Sequence, residues 1–180
     1  MKVLINELYK ANIEDELPGV NDNVLNFSPP DYAFGRCDGV IVKVEPVNNK
    51  EWIGRFAFGD FSLTGILPCP DDKTICIISK GLGYLVNANN PADWHLLPIE
   101  PVIGIYETNI ENILIINNFT DLYAWGKNGL LWETKGLASD NVEIKKFDRS
   151  VVFGEATKYG QQICFEVDIT TGKIKTKPLT

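Results

Sequence analysis

The sequence predicts an all-β fold: an antiparallel meander of about 12 or 13 short strands, preceded by an irregular N-terminal segment. Three observations carry this. From Gly39 onward, short runs rich in Val, Ile, Phe, Tyr and Trp recur, broken by turn residues every 8 to 12 positions or so. Small hinges at Lys80-Gly81-Leu82-Gly83, Lys127-Asn128-Gly129 and Thr170-Thr171-Gly172 place glycine where a hairpin needs positive φ. No stretch sustains the 3.6-residue period of a long amphipathic helix.

In chain order, residues 1–39 carry LPGVND, SPPDY and RCDG, three turn-forming stretches in quick succession. They are expected to form an irregular segment packed on the sheet. Within it, MKVLINELY fits a strand or a short helix equally, and ANIEDEL is the better helical candidate. Residues 40–180 are expected to form the meander domain. Its candidate strands are GVIVKVEP, WIGRFAFG, FSLTGIL, KTICIIS, GYLVNA, PVIGIYE, NILIINN, TDLYAWG, GLLWET, NVEIKKF, SVVFGEAT, QQICFEVDI and GKIKTK. A second helical candidate is NPADWHL, where Asn90-Pro91 suits the start of a single turn. The strands group into sets: KTICIIS, GYLVNA and PVIGIYE; then NILIINN, TDLYAWG, GLLWET and NVEIKKF; then SVVFGEAT, QQICFEVDI and GKIKTK. Such a meander closes into a barrel, stacks as two sheets or radiates as blades.

A chain of 180 residues, 44% of them hydrophobic, is long enough to bury the core of one ordinary domain. The first apolar residues are interrupted by Asn6, Glu7, Lys10 and Asn12, so no signal-peptide core is expected, and no run approaches the roughly 20 apolar residues of a membrane-spanning helix. A cytoplasmic protein is expected. Its four cysteines show no Cys-x-x-Cys spacing. Cys76 and Cys164 sit in strand-like runs as small buried hydrophobes, whereas Cys37 and Cys69 lie in looser sequence that leaves a disulfide open.

The net charge of −7 is unevenly spread. Residues 1–72 hold 12 acids and 6 bases, and residues 73–180 hold 12 and 11. Between residues 12 and 40, Glu14, Asp15, Glu16, Asp22, Asp31 and Asp38 stand against Arg36 alone. Such a surface repels phosphate backbones, which disfavours direct nucleic-acid binding, and attracts a cationic protein. A solvated acidic face that serves only solubility is the plain alternative.

Catalytic chemistry finds little support. His95 is the sole histidine, and no cysteine lies near it with a nucleophile signature. Asp71-Asp72 lacks the alternation of a calcium loop, and Asp38-Gly39 stands alone. Gly81-Leu82-Gly83 begins like a phosphate-cradling loop, but Val86 occupies its last glycine position. No catalytic residue, cofactor or metal is therefore expected. Trp125 and Trp132 suit a core, while Trp52 and Trp94, at the edges of polar loops, are equally open as interface anchors.

Residues 119–134, FTDLYAWGKNGLLWET, hold two apolar runs about Asn128-Gly129. LYAWGKNGLLWET resembles the hairpin of β-propeller repeats, and that resemblance implies a partial, open propeller. The length holds two and a half to three units of about 40 residues, too few for a closed ring. The run from LGYLVNANNP to FEVDITTGK, the last 100 residues or so, is similar to bacterial all-β proteins that carry Ala-Trp-Gly, Gly-Leu-x-Trp and Asp-x-x-Thr-Gly in this order. By overall profile the chain resembles the immunity proteins of bacterial contact-dependent inhibition, which neutralise a cognate toxin. This implies a binding protein and not an enzyme, a monomer in a 1:1 complex with a cationic, nuclease-type toxin, with no direct nucleic-acid or membrane contact. The residues expected to meet that partner are Glu14, Asp15, Glu16, Asp22, Asp31, Asp38, Asp71, Asp72, Asp93 and Trp94. The alternative is a carbohydrate-binding or glycoside-processing protein that sets paired carboxylates 5 to 9.5 Å or so apart beside an exposed indole.

Overall fold

Tyr9, Ala11 and Ile13 alternate with Lys10, Asn12 and Glu14, and this period of two makes residues 9–14 a strand with one apolar face. The computed structural model describes residues 3–16, 18, 19, 23–30, 38–108, 110 and 112–179. Among them are seventeen strands in four open sheets, none closed on itself. The all-β, mostly antiparallel fold expected from the strand pattern is thus present. The chain divides into two compact units, Met1–Val102 and Ile103–Thr180, and each contains two of the sheets.

In the first unit, β1 (Val3–Ile5), β2 (Tyr9–Glu14), β3 (Val24–Phe27), β4 (Gly39–Pro46) and β5 (Trp52–Ala57) form a sheet in the order β1-β2-β4-β5-β3. All its pairs are antiparallel except β3 with β5. β6 (Gly65–Pro68), β7 (Thr74–Ser79), β8 (Leu82–Asn87) and β9 (Asn90–Leu96) form a simple meander. β7 and β8 are buried along nearly their whole length, which explains their continuous apolar runs.

One core joins these two sheets. Phe27 stacks on Phe56 with centroids 4.4 Å apart, Phe56 meets Tyr84 edge-on at 5.2 Å, and Trp94 stands edge-on to Phe27 at 5.5 Å. Such aromatic pairs add about 0.5–1.5 kcal/mol each beyond the area they bury. Their polar tips are satisfied: Tyr84 Oη donates to Ala57 O at 2.9 Å, and Ser79 Oγ donates to Phe56 O at 2.8 Å. Trp52 is buried and its Nε1 donates to Ala88 O at 2.8 Å, so it belongs to the core and not to an interface.

In the second unit, β10 (Gly104–Glu107), β11 (Leu114–Asn117), β12 (Leu122–Gly126) and β13 (Gly129–Glu133) form one meander. β14 (Asp140–Asp148), β15 (Val151–Lys158), β16 (Gln161–Asp168) and β17 (Ile174–Pro178) form the other. Ile115, Leu122 and Ala124 share a core cluster with Val152, Ala156, Phe165 and Val167. The FTDLYAWGKNGLLWET stretch makes the β12–β13 hairpin, with Gly126 opposite Gly129 and Gly129 at φ +101°. Trp132 packs on this core and its Nε1 donates to Ile169 O at 2.8 Å.

Several expectations need correction. Residues before Gly39 contribute three strands to the first sheet, and ANIEDEL lies largely within β2. NPADWHL is β9 and not a helical turn. Asn87 Oδ1 accepts the Asn89 and Asn90 amides, which closes a hairpin, and Pro91 is tolerated because β9 is an edge strand. Each strand set then shifts by one: β9 completes the β6–β9 meander, PVIGIYE opens the next as β10, and NVEIKKF opens the last within β14.

The two-residue turn between β15 and β16 holds Tyr159 at φ +50° and Gly160 at φ +79°. A type I′ turn of this kind prefers Asn-Gly, because the left-handed region costs a bulky residue about 1 kcal/mol. Tyr159 is 88% exposed, so its ring recovers little of that. Tyr159→Asn is expected to raise the urea-unfolding free energy by about 0.5–1 kcal/mol; an unchanged or lower value would show that the ring contributes something the turn geometry hides.

Candidate partner-binding surface

Register gathers four of the expected carboxylates. Glu14 ends β2 opposite Ile41, and Asp38 precedes Gly39, which opens β4 opposite Ala57. Glu14, Asp15, Glu16 and Asp38 therefore lie at one end of the first sheet, and all four residues are exposed. Alternation puts Glu14 on the same face as Lys43. The Lys43 ammonium lies 3.0 Å from Glu51 and 3.8 Å from Glu45. Its hydrogen bond to Glu51 holds it above the usual lysine range, with further contributions from the Glu51, Glu45 and Glu14 charges. Lys43 is thus already engaged toward the middle of β4, while Arg55, opposite Ile41 on β5, shares this face and this end of the sheet.

Asp71, Asp72 and Asp93 lie elsewhere. Asp71 shapes the β6–β7 turn: its Oδ1 accepts the Lys73 and Thr74 amides at 3.2 and 2.9 Å, and its Oδ2 accepts Thr74 Oγ1 at 2.7 Å. Asp72, exposed at φ +60°, accepts Asn6 Nδ2 at its carbonyl, which ties this turn to the one between β1 and β2. Asp93 is exposed and accepts Asn87 Nδ2 at 3.3 Å. Ala88 N donates to Lys73 O at 2.9 Å, so the turns carrying Asp71 and Asn87 adjoin.

Tyr9 marks the distance between the two groups. Its hydroxyl donates to Thr74 O at 3.2 Å, beside the Asp71 turn, while Glu14 sits at the far end of the same six-residue strand. Five residue steps of extended chain span about 16 Å. Asp71, Asp72 and Asp93 are therefore set apart from Glu14, Asp15, Glu16 and Asp38. Trp94 is half-buried against Phe27 and Tyr84, with its ring committed largely to the core. Asp22 and Asp31 lie outside the described residues.

The sole histidine is kept apart from the buried thiols. His95 is exposed on β9 opposite Leu85, and Leu85 faces buried Cys76 on β7, so two strand spacings, about 10 Å, separate histidine from thiol. Cys69, left open for a disulfide, is a buried free thiol, as is Cys76; Cys164 is free and half-buried. A hydrogen bond with Cys76, then burial, push the Cys69 thiol up. Burial, and then the Cys69 and Asp71 charges, push the Tyr9 hydroxyl up as well. Cys37 lies outside the described residues. Among the described residues no three His, Cys, Asp or Glu side chains converge to hold a metal ion.

Two further features lie beyond the sequence-based expectations. Asp121 is nearly buried and takes part in the connection from β13 to β14. Val3, Ile5, Leu8 and Val47 are exposed aliphatics at one corner of the first unit. The only sequence signal for the second is the lack of polar alternation in Val3-Leu4-Ile5. Compared with protein-family models the chain matches none, and no curated protein matches it.

Proposed function

We propose that this chain is a dedicated inhibitor of a cationic protein, of the kind that bacterial immunity proteins provide against basic, nuclease-type toxins. The observation that carries this reading is the exposed Glu14, Asp15, Glu16 and Asp38 group at one sheet end. It belongs to a unit in which residues 1–102 hold 14 acids and 8 bases, for a net −6. Carboxylates presented together in this way can stand where substrate phosphates would lie, opposite the lysines and arginines of a nucleic-acid cleft. The partner then loses access to its substrate without any chemistry on the inhibitor's side.

The Glu14 end suits this role better than the Asp71 end. Asp71 uses both oxygens to hold its own turn, and releasing them would cost local stability. One chain presents one such end, which fits a 1:1 complex. The sugar-binding alternative needs free indole faces: Trp52, Trp94 and Trp132 are packed on the two cores, and Trp125, expected in a core, is instead half-buried on β12 outside both core clusters, which leaves it as the one indole open to that alternative.

Affinity recovery from the producing cell tests the proposal. The wild-type chain is expected to retain a basic protein in near-equal amount, and Glu14→Gln/Asp15→Asn/Glu16→Gln to retain it roughly tenfold less. Glu14 and Glu16 are exposed, and because Asp15 is itself engaged, Glu14→Gln/Glu16→Gln serves as the control whose thermal unfolding should match wild type. Recovery of a neutral or acidic partner, or equal recovery by the variant, would count against the proposal.

A further inference from the structure

Two buried thiols of the first unit lie together at the turn between β6 and β7. Cys69 is 4% exposed and Cys76 1%, and both are free. Leu67 of β6 stands opposite Cys76 of β7, and the Cys69 amide donates to Thr74 O at 3.0 Å, so the pairing runs past the end of β6 as far as Cys69. Alternation then turns both side chains to one face of the sheet, as diagonal neighbours across the Pro68–Ile75 pair. The two thiols are hydrogen-bonded to each other. Among the described residues no other cysteine belongs to this unit, and Cys164 lies in the second.

The turn keeps the pair together. Asp72 N donates to Cys69 O at 3.0 Å, and Asp71 Oδ1 accepts the Lys73 and Thr74 amides. Tyr9 Oη donates to Thr74 O, the carbonyl that also accepts the Cys69 amide, which fastens the turn to β2. Passing from a thiol hydrogen bond to a disulfide asks the sulfurs to approach by roughly 2 Å. Rotation about the two Cα–Cβ bonds supplies part of this, and Cys69, one residue past β6, can supply the rest.

We propose that Cys69 and Cys76 are a dithiol–disulfide couple, and that their bond staples the β6–β7 turn when the chain meets a disulfide oxidant such as oxidised glutathione. One thiol, as its thiolate, attacks a glutathione sulfur and releases one glutathione; the second thiol then displaces the other glutathione from the mixed disulfide. One S–S bond breaks and one forms, and the two thiol protons end on two glutathione thiols. The Cys69 thiol, pushed up by its hydrogen bond with Cys76 and by burial, is little ionised in the closed fold, so exchange passes through opening of the turn. The same burial shields the finished bond from reductants, which makes the staple slow to set and slow to release. A fold that holds the thiols together favours their bond, and by reciprocity the bond favours the fold by the same factor. The pair lies by the Asp71 turn, away from the Glu14 end, and is independent of the inhibitor reading.

Equilibration of the whole chain with reduced and oxidised glutathione, begun from the dithiol and from the disulfide and repeated in denaturing urea, tests it. Trypsin cuts after Lys73, so the bond appears as residues 56–73 joined to residues 74–80. The equilibrium constant for this link is expected to be about tenfold or more larger in the folded chain than in urea. The oxidised chain should also unfold at higher urea than the reduced one. Cys37→Ser/Cys164→Ser should keep both results, and Cys76→Ser should leave Cys69 unlinked. Absence of the joined peptide in the folded chain, a constant no larger than in urea, or preferential pairing of Cys69 with Cys37 or Cys164 would overturn the proposal.

Discussion

Asp121→Ala is expected to lower the urea-unfolding free energy by about 3–5 kcal/mol, a large share of the roughly 5–15 kcal/mol that keeps a domain folded. Asp121 is only 9% exposed. Its Oδ1 accepts Gly136 N at 2.7 Å, Thr134 Oγ1 at 3.1 Å and Leu137 N at 3.2 Å, while its Oδ2 accepts Thr120 Oγ1 at 2.8 Å. Thr134 Oγ1 in turn accepts the Leu122 amide at 2.8 Å, so the carboxylate braces both the start of β12 and the chain leaving β13. Alanine leaves those donors without their acceptor in a nearly dry site, which costs more than the bonds themselves contribute. Asp121→Asn keeps one acceptor oxygen and should lose only about 1–2 kcal/mol. Equal, small losses for both variants would show that the loop is held by packing alone.

Gly154→Val should cost about 3 kcal/mol or more by the same measurement. Gly154 lies in β15 directly opposite Phe165 of β16, and a Cβ there would collide with the Phe165 ring and the Glu143 carbonyl oxygen. Phe165 is almost fully buried in the second core and the Glu143 carbonyl belongs to β14, so neither can give way cheaply. Gly136→Ala isolates the contribution of backbone strain. Its φ is +76° with nothing within 4 Å of the added carbon, and about 1 kcal/mol is expected. If the two substitutions cost the same, the ring and carbonyl are more yielding than their packing implies.

These sites show where the sequence speaks plainly and where it does not. Hairpin turns were legible because glycine has a local reason to be there: Gly81, Gly129 and Gly172 all have positive φ. The strands from Gly39 onward were legible through their β-branched runs. β9 was not, because Asn90-Pro91 suits a helix start as well as an edge strand, and only the Asn87 turn chooses between them. The grouping into sheets failed by one strand for a related reason. What separates β13 from β14 is a long-range bond from Gly136 and Leu137 back to Asp121, and no local pattern announces it.

The acidic character of the first unit was visible as composition, but its division into two groups was not. Glu14 and Asp38 are brought together by the β2–β4 register, while Asp71 is drawn into a turn by the Lys73 and Thr74 amides. Charge counting treats all these carboxylates alike. The hydrogen bonds of Asp71 mark it as structural, which no count of charges shows.

The central claim, electrostatic capture of a cationic protein through the Glu14 end, is tested most directly by the association rate of the recovered partner as ionic strength is raised. For the wild-type chain the rate should fall by about tenfold or more between low and high salt, with a much smaller change in dissociation. For Glu14→Gln/Asp15→Asn/Glu16→Gln it should begin lower and vary less. An association rate independent of salt, the same in both proteins, would contradict the account.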